Sequence, residues 1–285
     1  MNNSQVRDIS EAVLASMTEE EFAKWRCKQG AHLICHRGRY WEEVYPGFYQ
    51  PIHWMARLSA EQATRPAPLC WGFRAALCED DVAVANGAVP VHVLSDLEAY
   101  NLQNFSSNRR HNIRRCRKRV RIIELLSPTL LQEQGYEVVL SATTRIGTKV
   151  PLKEDYLASL IDYIVPGRRL ILAGLVGDKL GGYITGYAVN GTAYFESLHI
   201  ATEALTTNIN SGLVFDFVQV CCSSGNIHEV VNGQHRREDP ALCIFKESIG
   251  FAIKHIPSRV WMNSIIGTFM RWQEPHKYYR LTGHD

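Results

Sequence analysis

Glu196 and His199 lie on one apolar stretch and are both of a type that could accept a proton from a reacting group. The stretch Thr192–Ile200 has the length and composition of a strand, and a period of two places Tyr194 on the same face as Glu196, with His199 on the other face. An unpaired carboxylate is costly to bury, so a glutamate in the middle of an apolar strand suggests a function. We take Glu196 as the candidate general base and Tyr194 as a candidate substrate contact, while His199 better fits a structural histidine.

Lys246 is the second side chain that could do chemistry. It lies on a predicted helix that begins at Asp239-Pro240 and ends at Gly250. If Phe245 faces the core, Lys246 lies beside the apolar stripe with its stem on apolar surface and its ammonium group free. Such a cation could hold a carboxylate or a phosphate, or stabilise the oxyanion of a tetrahedral intermediate. An exposed surface lysine is equally compatible with the pattern.

Polar side chains crowd the segment that follows a short predicted strand, Ile227–Val231. We take Asn232, His235 and Arg237 as candidate substrate contacts, because loops at strand ends commonly carry binding residues. A solvated turn would have the same composition.

A strongly basic segment precedes the central strands. Between positions 109 and 121 the chain carries seven arginines, Lys118 and no acidic residue. Ile113, Cys116 and Val120 share one helical face, so a helix over 106–121 would dock by that stripe and expose a basic face. Like charges one turn apart destabilise a helix unless an anion is near. The face predicts contact with RNA, with the pyrophosphate of coenzyme A, or with an acidic patch of the same protein. A solvated face is an equal alternative.

The elements that must position these residues follow in a clear order. Turn residues, among them Asn190-Gly191, separate three apolar runs and predict an antiparallel meander. Later segments alternate between helical and strand patterns, which gives the order β-β-β-α-β-α-β. The predicted elements after the basic segment are a helix over Lys153–Ile164, which Pro166 helps to end, strands over 170–176, 182–189 and 192–200, a helix over 210–222, the strand Ile227–Val231, the helix of Lys246 and the strand Ala252–His255. Helices on a mostly antiparallel sheet define an α+β protein.

This order resembles the GNAT superfamily of acyltransferases, and within it the FemAB-like branch, which includes aminoacyl-tRNA-dependent peptidoglycan transferases. Members commonly carry an FK-x-x-(F/I/M)-G segment, as in Phe245–Phe251, and an upstream N-x-R-x-N-I-R-like helix, as in Asn108–Arg115. The resemblance covers residues 95–272. It implies a transferase that forms an amide on a small-molecule or peptide amine, with acyl-CoA or aminoacyl-tRNA as co-substrate and no permanently bound cofactor. It also implies that Lys246 binds substrate near the transfer site.

The resemblance also implies a donor site. In GNAT folds the donor pyrophosphate lies on free amides at the N-terminus of the helix that follows the meander. The equivalent stretch here is 207–212, so the implied donor contacts are Asn208, Asn210, Ser211, Gly212 and, from the basic helix, Arg114. The usual Q/R-x-x-G-x-G/A motif is missing, which favours aminoacyl-tRNA over coenzyme A. A plain helix cap by Asn210 or Ser211 is an equal alternative.

Composition limits the class of protein. The 285 residues are 46% hydrophobic and 21% charged, with a net charge of +2, as expected of a folded globular chain. No stretch approaches the roughly 20 apolar residues of a membrane helix, and the first residues lack the apolar core of a signal peptide. The eight cysteines form no C-x-x-C pair, which predicts reduced cysteines, no metal site and a cytoplasmic protein.

We expect a smaller α/β N-terminal region over 1–94, opening with a helix through Ile9 and Met17, which could be a shortened second GNAT-like half. A transferase domain over 95–272 and a tail over 273–285 follow. One alternative is a non-catalytic GNAT-like module that binds RNA or a protein partner through the basic helix. Another is an ordinary acyl-CoA-dependent N-acyltransferase. The sequence leaves the oligomeric state open.

Overall fold

The computed structural model describes residues 5–165 and 167–285, and it has the α+β architecture that the sequence predicts. The strands are β1 Val6–Asp8, β2 Ser16–Met17, β3 Leu33–His36, β4 Arg39–Tyr45, β5 Phe48–Pro51, β6 Gly72–Ala76, β7 Gly87–Leu94, β8 Arg121–Leu125, β9 Leu170–Val176, β10 Lys179–Val189, β11 Thr192–Ile200, β12 Glu229–Gln234 and β13 Ala252–Met262. The α-helices are α1 Glu19–Lys28, α2 Ser107–Arg119, α3 Tyr136–Ile146, α4 Lys153–Ser159, α5 Ile209–Ser223, α6 Pro240–Ser248, α7 Ser264–Gln273 and α8 Pro275–Thr282.

The chain divides into two compact units. Unit 1 comprises the described parts of Met1–Ser16 and Leu94–Val231, together with Ser248–Gly250. Unit 2 comprises Met17–Val93, Asn232–Glu247 and Phe251–Asp285. The segments 1–94, 95–272 and 273–285 that we expect from the sequence stay a prediction.

Unit 1 is built on the predicted meander. Its strands follow the order β1, β8, β9, β10, β11 and then the first residues of β12. Neighbours are antiparallel except β11 and β12, which pair in parallel between Thr192–Tyr194 and Glu229–Val231. The β10–β11 turn has positive φ at Asn190 (47°) and Gly191 (83°), which is the conformation that an Asn-Gly hairpin requires.

Helix α5 covers this sheet and is almost wholly buried. Leu213 and Phe217, one turn apart, are both 0% exposed. The basic helix α2 packs on α5 through Ile113 and Cys116, which are also fully buried, so the predicted apolar stripe is confirmed. The two helices approach closely at Gly212, where an added Cβ would lie 2.3 Å from the Cys116 sulfur.

The strands of unit 2 follow the order β7, β13, β6, β5, β4, β3. Neighbours are antiparallel except β5 and β6, which pair in parallel. Each unit thus contains a three-strand antiparallel meander whose last strand has a parallel neighbour. The core around β4 and β6 centres on Trp41 and Phe73, whose rings meet edge to face at 5.9 Å.

Two helices predicted from the sequence differ from the structure. The opening helix through Ile9 and Met17 is instead two short strands and a 3₁₀ turn, and the first of these strands pairs with β8. The predicted helix Lys153–Ile164 stops as α4 at Ser159, and Pro166, expected to help end it, lies outside the described residues. Helix α1 begins with a capping box, in which the Thr18 hydroxyl accepts from the Glu21 amide and the Glu21 carboxylate accepts from the Thr18 amide.

Among the residues that the structure describes, no helix is long and apolar enough to cross a membrane. All eight cysteines are free, as expected of reduced thiols.

Candidate active site

Glu196 lies at a β-bulge of unit 1. The β10–β11 ladder pairs Thr185 with Ser197 and Gly186 with Phe195, so Glu196 is the extra residue on β11. The bulge interrupts the strict alternation of side chains that the sequence predicts for this strand. The Glu196 side chain is 27% exposed and therefore less costly to place than a fully buried carboxylate.

Arg169 holds this carboxylate in a two-point ion pair. Its Nε and Nη2 donate to Oε2 and Oε1, both at 2.6 Å, and its own side chain is only 3% exposed. The guanidinium also lies 4.0 Å from the centre of the Tyr163 ring, and Thr185 Oγ1 donates to Oε2 at 3.2 Å. Both carboxylate oxygens already accept hydrogen bonds, a geometry that favours an ion pair over a free base. Catalysis by Glu196 stays a prediction.

The neighbouring candidates on β11 lie within unit 1. Tyr194 is 2% exposed and packs 5.4 Å from the Tyr187 ring, so in this structure it belongs to the core. His199 packs 5.2 Å from the Tyr183 ring, and its burial lowers its pKa below the usual value. A histidine kept neutral by burial agrees with the structural role expected of His199.

Polar groups at the N-terminus of α5 already have hydrogen-bond partners within the protein, whereas a donor site needs groups that are free to bind the donor. Asn208 precedes the helix in the left-handed conformation, with φ 61°, and its carbonyl accepts from the amides of Ser211 (3.0 Å) and Gly212 (3.2 Å). Ser211 is buried, and its hydroxyl accepts from Arg109 Nη1 at 2.7 Å. A side-chain cap by Asn210 or Ser211 is wrong, because the cap position falls on Asn208, whose side chain makes no cap bond with a described residue.

Helix α2 confirms the predicted basic face and leaves Arg114 exposed. Arg117 pairs with Asp216 at 3.1 Å, and burial raises the pKa of that carboxyl while Arg117 opposes the rise. Four further cations share the exposed face and form no ion pair with a residue that the structure describes: Arg114, Arg115, Lys118 and Arg119.

Lys246 is buried in unit 2, so the predicted free ammonium group is wrong. The side chain is 7% exposed, and its Nζ donates to the Asn232 carbonyl at 2.6 Å. The buried residues of α6 are Cys243 and Lys246, one turn apart, because the helix is rotated relative to the stripe predicted from its apolar residues. Burial, and then Arg236, lowers the pKa of Lys246 to about 8.

A histidine and tyrosine network lies in the same unit. His235 Nδ1 lies 2.7 Å from Tyr279 Oη, and His255 Nε2 lies 2.9 Å from the same oxygen. His92, fully buried on β7, packs perpendicular to His235 with ring centres 5.5 Å apart. Burial, followed by the charges of Lys246 and His235, lowers the pKa of His92 to about 4.

Arg237 completes this arrangement from the exposed side. Its guanidinium lies 4.3 Å from the centre of the Tyr279 ring and forms an ion pair with Asp285. The structure therefore brings the predicted residues Asn232, His235 and Arg237 into the part of unit 2 that also holds Lys246.

Comparison with solved structures identifies the fold. The C-terminal domain of a protein from Agrobacterium fabrum assigned as a lysylphosphatidylglycerol synthetase aligns with a TM-score of 0.56 and 10% identity, over 89% of this chain and 89% of that one. FemX aligns with a TM-score of 0.60 and 8% identity, over 88% of this chain and 93% of that one. The fold is GNAT/FemAB-like. A conserved protein of unknown function from Bacteroides thetaiotaomicron aligns less extensively, with a TM-score of 0.51 and 11% identity, over 67% and 69% of the two chains.

Sequence comparison finds no relative. No family model matches the chain, and no curated protein matches it. At 8–11% identity the solved structures establish the fold alone.

The sequence did not point to three residues that contact candidate side chains within the two units. Arg169, His92 and Tyr279 are far along the chain from the residues they contact, and no local motif marks them. One indication was available for Arg169: a glutamate on an apolar strand needs a cation, and this arginine directly precedes β9.

Proposed function

We propose that this protein is an aminoacyl transferase that forms an amide on an amine acceptor and takes its acyl group from an RNA-borne ester. The observation that carries the proposal is the exposed basic face of α2, where four neighbouring cations have no acidic partner among the described residues. Such a face suits backbone phosphates, because each lysine or arginine that neutralises a phosphate releases a counterion.

The N-terminus of α5 supports an RNA donor over acyl-CoA. A pyrophosphate bound there would need free amides and close access to the backbone. Instead the amide of Ser211 already bonds to the Asn208 carbonyl, the Ser211 hydroxyl is bonded to Arg109, and the space at Gly212 is filled by Cys116.

In this proposal Lys246 binds the carbonyl oxygen of the acyl donor. The amine nitrogen forms a bond to the ester carbonyl carbon, the tetrahedral intermediate carries an oxyanion, and the carbon–oxygen bond to the ribose then breaks. The amine loses a proton and the ribose hydroxyl gains one. A buried ammonium held by the Asn232 carbonyl is fixed in place and poorly solvated, so it stabilises a developing negative charge strongly.

Binding tests the RNA part of the proposal. We expect fluorescently labelled bulk tRNA to bind, and the Arg114→Ala/Arg115→Ala variant to bind at least about 10-fold more weakly at low salt. The matched control is Lys24→Ala/Lys28→Ala, which removes two exposed cations from α1 and should leave the affinity unchanged. Stabilisation by coenzyme A in a thermal melt, with no tRNA binding, would instead indicate an acyl-CoA enzyme.

Transfer tests the chemistry separately. Bulk tRNA charged with radiolabelled amino acids is incubated with a panel of small amines and peptides, and label is followed into amide product. Lys246→Met should lower transfer by about 10²–10³-fold while tRNA binding persists. Lys179→Met, at an exposed lysine that begins β10, is the control. Binding without transfer to any acceptor would support a non-catalytic RNA-binding module.

A further inference from the structure

Three side chains of types that bind transition metals meet in unit 2. His92 comes from β7, His235 directly follows β12, and Cys243 comes from α6. One ligand atom from each lies within 4.8 Å of the other two. The residues are far apart in the chain, which is why the cysteine and histidine spacings in the sequence predict no metal site.

His92 is the observation that calls for a ligand. Its side chain is 0% exposed, and neither ring nitrogen forms a hydrogen bond of full geometry with a described residue. The main chain of Phe251 lies near the ring and partly opposes the lowering of the His92 pKa. No hydrogen bond of full geometry joins the two residues. Buried polar atoms are nearly always satisfied, so an unpaired buried imidazole suggests an ion or water at that position.

His235 is oriented as metal-binding histidines usually are. Its Nδ1 is engaged by Tyr279 Oη at 2.7 Å, and that oxygen is held in turn by His255 Nε2 at 2.9 Å. A metal-bound histidine commonly uses one nitrogen for the metal and the other for an outer hydrogen bond that fixes the ring. Nε2 of His235 is therefore the nitrogen that would bind the ion.

We propose that His92, His235 and Cys243 form a binding site for a zinc-class transition-metal ion, with a fourth position open to water or another ligand. Two imidazoles and a thiolate suit Zn²⁺ or Co²⁺ and disfavour Mg²⁺ and Ca²⁺, which prefer oxygen. Zinc bonds of about 2.0–2.3 Å place tetrahedral ligand atoms roughly 3.5 Å apart. The distances between the three ligand atoms would therefore have to shorten by about 1 Å when the ion binds. The Cys243 thiol now donates to the Arg236 carbonyl and would release its proton to the solvent on binding.

Lys246 is the main feature that opposes the ion. Its ammonium group lies near enough to act electrostatically on both His92 and His235, and a second positive charge there disfavours a dication. We therefore expect Lys246→Met to tighten metal binding. A role in catalysis alone would not produce this effect.

The test uses the intact, purified protein after chelator treatment, titrated with Zn²⁺ and separately with Co²⁺. We expect one equivalent to bind, with a thiolate-to-cobalt charge-transfer band in the near ultraviolet. Cys243→Ser should abolish that band and weaken zinc binding by more than about 100-fold, and Tyr279→Phe should weaken it by about 10–100-fold. Cys70→Ser, at another buried cysteine of unit 2, is the matched control and should change neither.

The site does not rest on the proposed aminoacyl transfer, since every readout is metal binding. Loss of the band in Cys243→Ser but not in Cys70→Ser supports the site, as does weaker zinc binding in His235→Gln. A band that survives in Cys243→Ser would overturn it. So would zinc binding of equal strength in the wild type and in His235→Gln. Circular dichroism of each variant confirms that it is folded.

Discussion

At the scale of single residues, Arg169 depends on Glu196 for its charge balance. The arginine side chain is 3% exposed and the glutamate 27% exposed, so loss of the carboxylate leaves a buried guanidinium uncompensated. We expect Glu196→Gln to lower the free energy of unfolding by about 2 kcal/mol, less than for a fully buried pair because the glutamate is partly solvated. Urea unfolding measures this as a lower midpoint at unchanged slope.

Glu203→Gln is the control for this ion pair, because Glu203 is exposed in the turn that follows β11. An unchanged midpoint in Glu196→Gln would show that the pair contributes little to stability.

His199 gives unit 1 a sensitivity to acid. Its pKa is lowered below 6.5 by burial, so the native state keeps the ring neutral while the unfolded chain takes up a proton. This contribution to stability is present above pH 6.5 and is lost progressively as the pH falls below it. We expect the melting temperature to fall less between pH 7 and pH 5.5 in His199→Gln than in the wild type.

His111→Gln, at an exposed position of α2, is the matched control and should keep the wild-type pH dependence. If His199→Gln and the wild type melt with the same pH dependence, the acid sensitivity arises elsewhere.

At the scale of elements, the approach of α2 to α5 depends on Gly212. A Cβ there would lie 2.3 Å from Cys116 Sγ and 3.2 Å from Cys116 Cβ, closer than side chains pack. Alanine favours a helix over glycine by about 1 kcal/mol, but the clash costs about 1–3 kcal/mol. We expect Gly212→Ala to destabilise the protein in thermal unfolding.

The second substitution Cys116→Ala removes the sulfur and should restore most of the stability lost in Gly212→Ala. A double variant no more stable than Gly212→Ala would mean that the backbone, not the sulfur, sets the spacing of the two helices.

At the scale of the whole molecule, the net charge of +2 is too small to attract RNA by itself. Binding should depend on the local face of α2. Four phosphate contacts predict a slope of log affinity against log salt of roughly −3, and Arg114→Ala/Arg115→Ala should reduce its magnitude by about 1.5. Fluorescence anisotropy across a salt series measures both slopes. Equal slopes for the two proteins would place the RNA elsewhere on the surface.

Local rules were enough to predict most of the fold. The Asn190-Gly191 turn, the three apolar runs that form β9 to β11 and the helical period of α2 and α5 depend on neighbours a few residues away, and the structure confirms them. The helix predicted through Ile9 and Met17 is wrong because short apolar segments suit helix and strand equally. Contacts with distant strands decide between the two.

For the candidate site, the sequence by itself indicated residue types: a glutamate on an apolar strand, a lysine on a helix and a basic segment. Their environments came only from the tertiary structure. Lys246 is buried because packing sets the rotation of α6, and a period in the sequence does not fix that rotation. Likewise, Arg169 meets Glu196, and His92 meets His235 and Cys243, through strand and helix pairings between distant segments. The sequence determined which groups are available, and the long-range packing decided which of them are charged, paired or buried.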